Sequence, residues 1–141
     1  MNRETALRIL LALIGLAHLA LGAISNLAPP ETLVRVVSAV YGATIEMTPQ
    51  LHHVIRILGV FMIGVGVLAF LASRDPRRNQ AIVTGIIVIL VLRVFQRILL
   101  GREIIETFDI APASIWIQAA FFLATAAALI ALRPRPLTPG S

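Results

Sequence analysis

Residues 6–27, 51–72, 80–101 and 113–132 form four apolar stretches of about 20 residues, and none contains an Asp or a Glu. An α-helix rises about 1.5 Å per residue, so each stretch can cross a hydrocarbon core about 30 Å thick. The composition agrees: 58% of the 141 residues are hydrophobic, 13% are charged and the mean hydropathy is +0.91, against roughly 25% charged residues in a soluble domain. The sequence therefore predicts an all-α, integral membrane four-helix bundle forming a single domain over 1–141, with no separate soluble domain. The first stretch exceeds a signal-peptide core and shows no small-x-small cleavage site before Pro29 and Pro30, so it reads as a permanent helix.

All of the positive charge behind the net +5 is arginine, since the chain has no lysine. Arg3 and Arg8 open the first span, Arg74, Arg77 and Arg78 fill the turn between the second and third, and Arg133 and Arg135 follow the fourth. Basic residues gather on the cytoplasmic side of spans, which predicts that these three regions lie inside. The other two connections are acidic on balance: Glu31, Arg35 and Glu46 in one, Arg102, Glu103, Glu106 and Asp109 in the other. Both termini are expected inside. Because the basic groups flank spans, no nucleic-acid partner is expected. The absence of cysteine excludes disulfides, thiolate metal sites and thiol nucleophiles.

The connection over 28–50 is too apolar for a plain loop. Pro30 at a helix start, the series Leu33, Val34, Val36, Val37, Val40 and Tyr41, and Gly42 as a C-cap predict a short amphipathic helix on the membrane face or over the bundle mouth; the valines keep a short hairpin open as a second reading. The segment 101–112 is read as an extension of the third helix up to Pro112, with Trp116 at interface depth. Gly15, Gly22, Gly59, Gly64 and Gly66, and the alanines of the fourth span, suit close helix contact in a bilayer.

Against this background Arg56, Arg93 and Arg97 stand out, because a charge within a span costs several kcal/mol unless it is paired, hydrated or bound. Counting about 1.5 Å per residue from the outer helix ends puts Arg56, Arg97 and Gln118 about 6–7 Å deep, and Arg93 and His18 about 12–14 Å deep. Arg93, Gln96 and Arg97 fall on one helix face by their i, i+3, i+4 spacing. The expected ligand-binding set is therefore Arg93, Arg97, Arg56, His18, Gln118 and Gln96, a graded cationic cleft in the outer half of the bundle. For Arg56 and Arg97, snorkelling to lipid headgroups is the competing reading. Glu46, Glu103, Glu106 and Asp109 are the acids that could reach the cluster from the loops.

His52 and His53 sit only about 2–3 Å deep, roughly 10 Å from the level of His18, which argues against a shared metal or bis-histidine haem. Single ligation of a tetrapyrrole by His18 is the weaker alternative to an internal hydrogen bond. No HExxH, GxSxG or phosphate loop is present, and no ExxH pair occurs in the spans, so no catalytic residues, metal or cofactor are expected.

The run HHVIRILGVFMIGVGVLAFLASRDP with Arg56, Gly59, Arg74, Asp75 and Pro76, followed by Arg93 in the third helix and by GREIIETFDIAP, resembles the DoxX-like superfamily of small four-helix bacterial membrane proteins. More narrowly, it resembles an uncharacterised membrane-domain branch of that superfamily. The likeness covers about the last 90 residues, with departures at Leu92 and Gln118, where a glycine and an acid are common. It implies a membrane four-helix bundle of the bacterial cytoplasmic membrane and no established reaction; some relatives are accessory subunits of redox systems. Three functions are open at this point. The first is a non-enzymatic module binding a membrane lipid, quinone or other amphiphile, the second an accessory subunit of a larger respiratory, photosynthetic or transport complex, and the third an enzyme acting on a lipid-soluble substrate.

Overall fold

The computed structural model describes residues 2–133, which form five helices and no strand. These are α1 (Arg3–Leu27), α2 (Pro30–Tyr41), α3 (Pro49–Arg74), α4 (Gln80–Phe108) and α5 (Pro112–Leu132). All but α2 are long and apolar enough to cross a membrane, which marks an integral membrane protein. Arg135 lies outside the described residues.

Local chemistry sets the helix ends, and it lengthens the spans beyond their apolar cores. Asn2 caps α1 by accepting from the Glu4 amide, so the helix starts at Arg3 and includes its charged first turn. Thr48 caps α3 in the same way through Leu51, with Pro49 in the first turn. Helix α4 runs on to Phe108, seven residues past the apolar stretch; Arg102 and Glu106 pair across one turn at 2.8 Å, and no breaker intervenes before Pro112. Asp109 ends it with φ 49°. Helix α2 ends at Gly42, whose φ of 66° is left-handed and whose amide donates to Ser38 O at 2.8 Å. A side chain at that position would be strained.

Helices α1 and α3 form the closest pair, and two glycine crossings explain why. A Cβ placed on Gly22 would come within 2.7 Å of Gly59 O, and one placed on Gly66 within 2.9 Å of Gly15 O. Backbones touch at both levels, which brings the maximum number of van der Waals contacts into a medium where no water is expelled. Gly64, by contrast, faces open space. Helices α4 and α5 form the second pair, and the two pairs meet more sparingly along α3–α4 and α1–α5.

Side-chain packing is uneven along the bundle. At the end carrying the 75–79 turn, Leu7, Leu11, Ala69, Ala72, Val83, Ile86, Leu90, Ala126 and Leu129 make a closed core. Glu4 ties that end together by pairing with Arg8 at 2.8 Å and with Arg77 at 3.0 Å, and Arg133 donates to Thr84 Oγ1 at 2.7 Å. At the opposite end a second cluster, Ala43, Ile110 and Ile115 with Val37, Tyr41 and Phe108 against it, seats α2 and the following loop on α4 and α5. The amide of Thr44 donates to Phe108 O at 2.9 Å and reinforces that seat. Outward faces are largely apolar: Phe61 is 68% exposed and Leu99 76%, as expected of surfaces that meet lipid.

Candidate functional site

Two cavities lie toward the α2 end of the bundle, and they divide the polar residues between them. The first, about 330 Å³, is bounded by α1, α2, α3, α4 and α5 and lined by His18, Arg93, Gln118, Phe121, Phe122 and Tyr41 among others. The second, about 350 Å³, lies among α2, α3, α4 and the loops and is lined by Arg97, Gln96, Tyr41, Phe108 and apolar side chains of α3. Tyr41 borders both.

His18, Gln118 and Arg93 each have a defined anchor in the first cavity. His18 Nδ1 lies 2.9 Å from Ile14 O, one turn back on α1, so that nitrogen donates. Gln118 Nε2 donates to Tyr41 O at 3.2 Å and joins α5 to the end of α2. Its Oε1 is buried without a hydrogen-bond partner. Arg93 places its guanidinium carbon 5.3 Å from the centre of the Phe122 ring, and Phe121 packs edge-on against Phe122 with ring centres 5.9 Å apart.

No carboxylate lies within 4 Å of Arg56, Arg93 or Arg97 among the described residues. The ion pairs are Arg8–Glu4, Arg77–Glu4 and Arg102–Glu106, all outside the cavities. Of the loop acids considered from sequence, Glu106 is committed to Arg102. A cation stacked on an aromatic ring gains about 0.5–2 kcal/mol. An uncompensated arginine at the centre of a span costs about 2.5–3.5 kcal/mol. Phe122 therefore offsets part of the cost of Arg93 and leaves a cation that a ligand oxygen can complete.

The six residues singled out from sequence thus fall into three places. His18, Arg93 and Gln118 share one cavity, Arg97 and Gln96 share the other, and Arg56 lines neither, its side chain being exposed on α3. In place of a single graded cleft there are two chambers, and Tyr41 of α2 lines both. Tyr41 and Phe122 are functional candidates that sequence reasoning passed over. Phe122 follows Gln118 by four residues and so shares its helix face, the one signal that could have pointed to it. His52 and His53 line neither cavity, and no group of three or more His, Asp or Glu residues placed to hold a metal ion occurs among the described residues. Comparison with protein-family models, with curated proteins and with solved structures finds no match to the chain.

Proposed function

We propose that this chain is a non-enzymatic integral membrane protein that holds an amphiphile in the cavity of Arg93, His18 and Gln118, with the ligand's polar head against Arg93 and its tail among the apolar helix faces. The observation that carries the reading is Arg93 itself: a cation in a spanning helix, lining a cavity, with a ring on one side and no carboxylate within 4 Å. An oxygen-bearing head supplies the missing partner, and membrane lipids, quinones and related amphiphiles all carry one. With both termini cytoplasmic, as the arginine distribution suggests, the cavity belongs to the outer half of the bilayer. The DoxX-like resemblance is compatible with this reading and brings no reaction to it.

The test is retention. Wild type and Arg93→Leu are purified in mild detergent, their thermal unfolding is compared, and co-purifying lipids and quinones are extracted and quantified by mass spectrometry. Wild type is expected to retain one amphiphile species near stoichiometry, and Arg93→Leu to retain at least about tenfold less at an unchanged Tm. Equal retention by both proteins would remove the cavity from consideration as a ligand site.

A further inference from the structure

The hydrogen-bond partners inside the protein determine what each polar side chain can still offer to the cavity. A carbonyl oxygen only accepts, so Ile14 O assigns the proton to His18 Nδ1, and Nε2 of the neutral ring is an acceptor. Tyr41 O likewise assigns the near atom of the Gln118 amide as nitrogen, and the orphaned buried atom as the carbonyl Oε1. Arg93 has donors alone. His18, Gln118 and Arg93 thus present one cationic donor and two acceptors, and the hydroxyl of Tyr41, which also borders the cavity, can act either way. A head that can only accept, such as a sulfate, a fully ionised phosphodiester or an oxidised carbonyl, answers Arg93 and leaves the buried Gln118 oxygen unpaired, which is costly. An oxygen that carries a proton answers both sides at once.

Size and lining narrow the class further. At about 330 Å³ the cavity is at the small end of ligand sites, room for a single-ring head and the start of a tail. The edge-on pair Phe121 and Phe122 lines it, and aromatic rings favour such offset and edge-on neighbours.

We propose that the ligand's head is a single aromatic ring bearing a hydroxyl, whose oxygen accepts from Arg93 and whose proton is donated to Gln118 Oε1 or His18 Nε2. This rests on the cavity being the ligand site, and the experiment separates the two. Wild type, Arg93→Leu, Gln118→Leu and His18→Phe are titrated in mild detergent with para-decylphenol and with para-decylanisole, which differ only in that a methyl replaces the hydroxyl proton. Binding is read by native mass spectrometry and corrected for partition into empty micelles. The wild type is expected to prefer the phenol by about tenfold or more. That preference should shrink in at least one of Gln118→Leu and His18→Phe, and both probes should weaken in Arg93→Leu. Equal binding of the two probes by wild type, with both weakened in Arg93→Leu, would overturn the hydroxyl requirement while leaving the site. Failure of both probes to bind wild type, or binding indifferent to Arg93→Leu, would overturn the site and this inference with it. The comparison on wild type needs no variant to fold.

Discussion

Arg93 and Arg97 are one helical turn apart on α4, yet each lines a different cavity, and the ring of Tyr41 borders both. One helical turn sets their backbones about 6 Å apart along the axis, so two like charges are held as neighbours where the chambers adjoin. Arg56 takes part in neither chamber, and its exposed side chain can extend along the apolar flank to the interface. Arg56→Leu is accordingly expected to match wild type in amphiphile retention and in Tm, both read on the purified protein; a loss of retention comparable to that of Arg93→Leu would put Arg56 back in the site. The arginines themselves were legible in the sequence, because an unneutralised charge in an apolar run is visible without a structure. Their partners were not. Phe122 approaches Arg93 from another helix, and Tyr41 reaches both chambers from a short connecting helix, so neither relation leaves a trace in local spacing.

Elements were legible wherever capping or breaking residues bound them. Pro30 and Gly42 delimit α2, and the apolar stretches delimit the spanning cores. The extension of α4 past its apolar stretch was legible too, since no breaker stands before Pro112, and the helix ends at Phe108 with Asp109 in the left-handed region. Five glycines pointed to close packing, but which of them meet another backbone required the partner helix. Gly59 meets Gly22 and Gly66 meets Gly15, whereas Gly64 has nothing within 4 Å. Gly59→Leu should therefore force α1 and α3 apart, at a cost on the scale of core overpacking, about 1–3 kcal/mol, and lower the Tm by several degrees. Gly64→Leu should leave the Tm unchanged in the same thermal unfolding measurement. Equal effects of the two substitutions would show that the α1–α3 crossing does not limit stability.

At the scale of the whole molecule, a closed core at one end leaves the polar chambers to the α2 end, one of them walled by the apolar cluster that seats α2. The apolar spans were legible, but sequence alone gives no measure of how closely helix pairs pack along their length. Orientation in the bilayer is testable directly because the chain lacks cysteine. A single cysteine at Glu103 should react with a membrane-impermeant thiol reagent applied to intact cells. One at Arg78 should react only after the membrane is opened, and the reverse pattern would invert the topology.

The glycine crossings between α1 and α3 repeat at seven residues on both helices, 15 to 22 on one and 59 to 66 on the other. Two teeth at matched pitch allow these helices to slide past each other only in steps of about 10 Å, far more than a packed bundle tolerates. The α1–α3 pair is thus a fixed wall. Any change in chamber volume as a guest enters or leaves falls to the α4–α5 pair, which carries Arg93, Gln118 and Phe122 and moves them as one jaw against His18 on the wall.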